Sequence, residues 1–416
     1  MTDGGSKDAR PFELVLKGGH VIDPANRINS QMDIGIAGGK IARVASTIPS
    51  SEAVQTVDVS GLYVTPGILD IHTHVYPFRP LPKSYVESVN ADAHLFSSGV
   101  TTTVDAGTAG WKHFLDFKEG TIDRARVRIL VLINIACSGM VDGDSEQSVT
   151  DMNPKMVASL AQAFPEIIVG IKSAHYWTTK PWDAMHPPWA SVERAIEAGE
   201  LCGKPVMVDF WPHPPERSYP DLILRKLRPG DIHTHVFAQQ FPILTADGKV
   251  NDFLFEARAK GIFFDLGHGA ASFWFRNAVP AFQDGFPPDI ISTDLHMSNV
   301  NGPVISMLNT MSKYLSMGMP LVEVIQRSTT QPAQVIGRPE LGTLGEGAGA
   351  DVAVFKKLDG SFGFTDCGRA RLAGNQKLEC KLTLRTGQIV YDPTGLSMPD
   401  WEHAPASYWE IPSTQS

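Results

Sequence analysis

The chain has 416 residues, 43% of them hydrophobic and 19% charged, with a formal net charge of -9. That length calls for one large domain and a smaller one, and the acidic balance excludes a non-specific nucleic-acid binder, because no basic patch dominates. No run of about 18 apolar residues occurs, which argues against a membrane helix. The polar N-terminus lacks a signal peptide's apolar stretch.

Four scattered cysteines (Cys137, Cys202, Cys367, Cys380) form no C-x-x-C pair, a pattern that fits a reducing, cytoplasmic compartment without a disulfide framework or a thiolate zinc site.

From 12 to 65 the texture is β. FELVLKGGHVID, MDIGIAGGKIARV and TVDVSGLYVTPG are short alternating runs divided by turn residues. The texture then changes to apolar, β-branched runs that alternate with helical stretches, the mark of buried parallel strands in βαβ units. Eight such runs occur, at 67–74, 99–107, 127–137, 167–175, 204–210, 231–237, 261–269 and 289–296. Helices are expected at 191–203, 249–261 and 320–329. In the first of these, Val192, Ala195, Ile196, Ala198 and Gly199 follow a rough 3.6-residue period. This pattern predicts a (β/α)₈ TIM-like barrel over 66–343. After 345 the β texture returns, so 1–65 and 344–395 are expected to form one small β-sandwich domain from both chain ends. The tail, 396–416, is rich in Pro, Trp and Ser and is expected to wrap the surface or a neighbouring subunit.

Barrel active sites form where the strands end, so the ends carry the functional signal. The runs end in His72 and His74, Asp105, Asn134, Lys172, Asp209, His235, Asp265 and His268, and Asp294 and His296. Buried strand ends should be apolar unless polar groups there have partners. Chance could supply one or two such residues, not a full set. His72 and His74 are two apart, so both imidazoles leave one face of a strand and can reach one ion at about 2.0–2.1 Å. The pentapeptide DIHTH occurs twice, at 70–74 and 231–235, in contexts that do not otherwise repeat.

The stretch PGILDIHTH at 66–74 resembles the first-strand signature of the amidohydrolase superfamily. The resemblance runs from about 12 to 392 and is nearest to the deacetylase-like branch related to dihydroorotases and hydantoinases. GVTTTVDAG, IVGIKSAHY, LRPGDIHTHVF, PDIISTDLH and GTLGEGAGADVAVF carry it.

The resemblance implies that His72, His74 and Asp294 hold one divalent ion, and that Asp209 and His235 hold a second. Lys172, carboxylated by carbon dioxide, would bridge the two. One or two ions are expected, with zinc first and manganese in competition. Aspartate at strand five departs from relatives that carry histidine there, and a hard carboxylate favours manganese more than an imidazole does. His213 is the alternative strand-five ligand from the following loop. Asp294 would also be the general base, and His268 would stabilise an oxyanion. Plainer readings stand beside these. Lys172 could anchor substrate as an ammonium, Asp294 could cap a helix, and His268 could be a satisfied loop histidine. The second DIHTH then contributes one ligand, His235. His233 is expected to point the same way, deeper in the barrel, as a hydrogen-bonded interior group. His175, Tyr176, Arg276 and His296 are weaker pocket candidates. Trp177, Trp182 and Trp189 either form an apolar lid or pack their loop down.

The expected activity is metal-dependent hydrolysis of a small acylated amide, cyclic amide or ester by a homo-oligomer. A lyase or isomerase on the same barrel, and a scaffold descended from the family, are the alternatives. Fold alone does not decide between them.

Overall fold

The structure, a computed structural model, describes residues 10–77, 87–141, 144–178 and 181–410. The first nine residues and the last six of the tail lie outside the described residues.

The barrel is present. Seven parallel strands follow in order around it: Ile68–Thr73, Val100–Asp105, Arg128–Asn134, Ile168–Ser173, Val206–Val208, Ile232–His233 and Phe263–Phe264. All seven fall inside the runs expected from sequence. The eighth run, 289–296, makes single bridges rather than a continuous ladder. Asp265 pairs with Ile290 on one side and Thr73 with Leu295 on the other, which closes the ring. Asp70 holds the seam from strand one, accepting from the Thr293 amide at 3.1 Å and the Thr293 hydroxyl at 2.5 Å.

The lower barrel is filled by Leu69, Ile71, Val104, Leu130, Leu132, Val169, Met207, Ile232 and Ile290. These β-branched and aliphatic side chains make it a packed core, not a pore. Helix Ala190–Cys202 buries Val192, Ala195, Ala198 and Gly199 against the strands and ends at Gly203, whose φ of 67° supplies a left-handed cap. Helices Asp252–Ala259 and Leu321–Gln326 also occur where expected, shorter at both ends. Phe275–Gln283 escapes sequence patterning because Pro280 sits inside it.

Eight terminal strands form a second sheet with its own core, including Leu16, Ile34, Val64, Val354 and Leu382. The two chain ends meet where Tyr63–Pro66 pairs antiparallel with Val352–Thr365, with Val64 opposite Val354. This sheet joins the barrel directly, since only Gly67 separates Pro66 from the first barrel strand. No helix among the described residues is long and apolar enough to cross a membrane.

Candidate metal centre

His72, His74, Lys172, Asp209, His235 and Asp294 line one cavity of about 210 Å³ at the carboxyl ends of the strands. Met140, Ala174, His175 and His296 complete its wall. A larger chamber of about 510 Å³ adjoins it, sharing His175 and Asp209. Strand one reaches the cavity through a register shift between Asp70 and Thr73, a bulge of the kind that re-aims side chains.

The imidazoles are oriented by what their outer nitrogens bind. His72 Nδ1 lies 2.9 Å from Thr234 Oγ1 and 3.2 Å from Asp265 Oδ2. His74 Nδ1 lies 2.7 Å from Thr108 Oγ1. His235 Nδ1 donates to the Gly267 carbonyl at 2.5 Å. Each ring therefore presents Nε2 inward, the arrangement in which an outer partner fixes a metal ligand's tautomer. Asp265 is held in turn by the hydroxyls of Thr234, at 2.7 Å, and Ser292, at 2.6 Å.

Two halves can be told apart. In the first, Asp294 Oδ1 is 3.0 Å from His74 Nε2 and 3.7 Å from His72 Nε2. Among the described residues these three are the set whose ligand atoms all lie within 4.8 Å of one another. In the second, Asp209 Oδ2 is 3.7 Å from His235 Nε2 and 3.6 Å from His175 Nε2. Ligands about 2.0–2.2 Å from a tetrahedral ion stand about 3.4 Å apart; the first set is close enough throughout to share one ion, whereas in the second only the pairs through Asp209 approach that spacing. Lys172 stands between the halves, its Nζ 3.2 Å from His72 Nε2.

Electrostatics match this layout. Burial pushes Lys172 down against the pull of Asp209 and Asp294. Burial also opposes ionisation of Asp209 and Asp294. The histidines around them, with Lys172 beside Asp209, outweigh it and hold both carboxylates below the ordinary range. His72 is driven down to about 3, first by burial and then by Lys172, which keeps the ring neutral and its Nε2 lone pair open.

Three cavity residues share a rare backbone. His175, His235 and Asp294 have φ of 49°, 59° and 50°. Left-handed conformations cost non-glycine residues about 1–3 kcal/mol and cluster at functional sites. At His235 this turn breaks the two-residue alternation of the strand. His233 therefore does not point the way His235 does. It lies outside the barrel wall among Tyr219, Phe241 and Phe264, and neither ring nitrogen has a hydrogen-bond partner.

The other expected residues scatter. His268 Nε2 accepts from Lys313 Nζ at 2.6 Å, and Nδ1 donates to the Gly269 carbonyl at 3.0 Å. The oxyanion role expected of it has no open ring nitrogen to rest on. His213 binds the Thr178 carbonyl and packs edge-on to Trp182, away from the cavity. Arg276 is exposed, and the Tyr176 hydroxyl donates to Pro187. Trp177 stacks on His186 and Trp189 donates to the Glu216 carbonyl, so both pack their loop down.

Sequence reasoning passed over Thr108 and Thr234, which orient His74 and His72, and Glu146, which lies 2.7 Å from His175 Nδ1. Thr234 stood inside a flagged motif. Glu146 had no signal of its own.

A buried His–His–Asp cluster at a barrel mouth, with each ring turned inward, could hold a divalent ion. Comparison with known proteins bears this out. The amidohydrolase family model matches residues 275–390. A deacetylase from Enterococcus faecalis is 32% identical over 386 residues, 92% of this chain and 99% of that protein. A deacetylase from Agrobacterium fabrum is 32% identical over 81% of each chain. The crystal structure of an adenine deaminase matches with a TM-score of 0.82 at 29% identity, over 92% of this chain and all of that one. A dihydroorotase structure matches with a TM-score of 0.75 at 28% identity, over 91% and 99%. The chain belongs to the amidohydrolase family. It is a metal-dependent hydrolase that acts on carbon–nitrogen bonds.

Proposed function

We propose that this hydrolase removes the acyl group from a small acylated amide, or opens a cyclic amide, with acylated hydroxy acids as ester substrates of the same site. The convergence of six ligand-type side chains from five strands on one cavity carries the reading. The deacetylase names of relatives matched over most of their length support the acyl class.

His72, His74 and Asp294 would hold one divalent ion, and Asp209 and His235 a second. The donor set is nitrogen and oxygen without sulfur, which suits zinc and leaves manganese competitive at the half with Asp209. Lys172 lies where a bridge would stand. Its amine would add to carbon dioxide, forming an N–C bond and releasing one proton, and the product is an anion with two oxygens. That supplies negative charge between two cations where an ammonium would repel them. These residues would hold an ion that supplies Lewis acidity, by which the pKa of a water can fall from 15.7 to about 7. Asp294, whose Oδ1 lies 3.0 Å from His74 Nε2 on the ligand side, would accept the proton of the attacking water on its other carboxylate oxygen and deliver it to the leaving nitrogen or oxygen. The buried walls around His72 and Lys172 exclude bulk solvent from that transfer.

The free thiols of Cys137, Cys202, Cys367 and Cys380 support a reducing, cytoplasmic setting. Trp401 and Trp409, 76% and 80% exposed in the tail, support a homo-oligomer assembled partly through that segment.

The test joins metal analysis to a substrate screen. Purified protein should carry at least one equivalent of zinc or manganese and turn over a member of a set of N-acyl amino acids, cyclic imides and acetylated hydroxy acids. Less than half an equivalent with no turnover would overturn this reading of the site and its acyl substrates.

A further inference from the structure

The loop after strand seven reads Gly267-His268-Gly269, and its two glycines back directly onto the proposed metal ligands. A Cβ added at Gly267 would stand 2.8 Å from His235 Nδ1 and 3.0 Å from His72 Nδ1, and one at Gly269 would stand 2.6 Å from Asp294 Oδ2. Neither position has room for a side chain. The Gly267 carbonyl accepts from His235 Nδ1 at 2.5 Å. The Gly269 amide donates at 2.9 Å to the carbonyl of Thr293, the neighbour of Asp294. Ligands of both proposed ions therefore lean on this one tripeptide. Both glycines have positive φ, 46° and 57°, and no Cβ to restrict them, so the loop needs a fixed point elsewhere.

His268 provides it. Its ring is fully buried, and Nδ1 donates to the Gly269 carbonyl at 3.0 Å, which leaves Nε2 to accept from Lys313 Nζ at 2.6 Å. Lys313, on helix Met307–Met317, is fully buried too, and it also donates to the carbonyls of Pro303 at 2.9 Å and Thr365 at 2.8 Å. Three acceptors use all three N–H groups of an ammonium, whereas a neutral amine has two and would turn its lone pair on the third acceptor. Burial pulls this lysine down to about 7, so the charged form depends on those bonds. The acceptors belong to the strand-seven loop, the loop after strand eight and the end of strand Val352–Thr365 in the terminal sheet. The chain leaving that strand grips the same loop again. Asp366 accepts from the Phe275 amide at 3.0 Å, and the Cys367 amide donates to the Phe273 carbonyl at 3.1 Å.

We infer that Lys313 and His268 are positioning residues of the metal centre. The buried ammonium holds His268, and His268 holds Gly267 and Gly269 against His72, His235 and Asp294. This rests on the metal-binding reading given above.

Zinc affinity, measured on the full chain by competition with a chelator, tests it. Lys313→Met and His268→Leu should each weaken zinc about 10–100-fold, the effect of losing a partner that orients ligands from outside. His268→Gln, whose side-chain oxygen can still accept from Lys313, should keep most of the affinity. Because both residues act through one bond, a variant carrying Lys313→Met and His268→Leu together should bind zinc no more weakly than the weaker single variant. Independent structural roles would multiply the two losses instead, and that result would overturn the inference. So would unaltered affinity in both single variants. If Lys313→Met does not fold, the His268 pair decides, since equal affinities in His268→Leu and His268→Gln would refute the anchoring bond. In each of these cases the wild type still binds zinc; a wild type that binds none would overturn the metal-binding reading itself.

Discussion

The same five residues, DIHTH, were built twice into this barrel and fold to different ends. In the copy at 70–74, His72 and His74 both enter the cavity, and the Thr73 hydroxyl stays in the wall, 2.6 Å from the Thr103 hydroxyl. In the copy at 231–235, Thr234 turns inward to His72 and Asp265, His235 enters the cavity, and His233 is left among aromatic rings outside. The first residue differs as well. Asp70 binds the eighth strand, whereas Asp231 pairs with Arg228 at 2.8 Å and accepts from the Val206 amide at 2.9 Å. A bulge in one strand and a left-handed residue in the other change which side chains face in. The pentapeptide supplies the donors, and the local backbone chooses among them.

The sharpest break between the copies comes from the centre they share. Lys172→Ala should lower kcat/KM on the order of 10³-fold or more, beyond what loss of an outer partner does, and metal content should fall with it. Added short carboxylic acids should restore part of both. Full activity with full metal content would remove the bridging role.

The two threonines give the next contrast. Thr234→Val removes the hydroxyl beside His72 Nδ1, and metal affinity measured by competition with a chelator should fall about 10–100-fold. Thr73→Val should leave that affinity unchanged and cost about 1 kcal/mol of stability through the lost hydroxyl pair. Equal effects on metal would mean that the copies are not distinguished by facing.

At His233 the expected effect falls on stability alone. Its two unpaired ring nitrogens make His233→Leu neutral or stabilising by about 1–2 kcal/mol in denaturant titrations at neutral pH, with metal content intact. The pH dependence follows in sign. Burial lowers His233 from 6.5 to about 3, so the native ring stays neutral where the unfolded ring takes a proton. Its contribution is therefore complete above about pH 6.5 and is lost as the pH falls towards 3. Urea midpoints measured at pH 5 and pH 7.5 should differ less for His233→Leu than for the wild type.

Much of this molecule was legible in its sequence because burial on both faces of a parallel strand leaves an unbroken apolar run with a polar end. All eight runs lie in the barrel wall, and His72, His74, Lys172, Asp209, His235 and Asp294 meet in one cavity. What escaped has specific causes. The outward turn of His233 depends on a positive φ at His235, which no glycine announces. The contact of His268 with Lys313 joins the loop after strand seven to helix Met307–Met317, a pairing no local pattern encodes. Glu146 and His175 come from loops after different strands, and only the closed barrel brings them together.

The last strand has a further consequence. It carries Asp294, whose amide donates to the His72 carbonyl at 2.6 Å, and it is fastened by scattered bridges and by Asp70 instead of a full ladder. The residue proposed to move the proton thus arrives with the clasp that shuts the ring. On that proposal, a chain whose ring is still open has imidazoles on strands one and six but no base beside them, so competence for hydrolysis should appear only when the barrel closes.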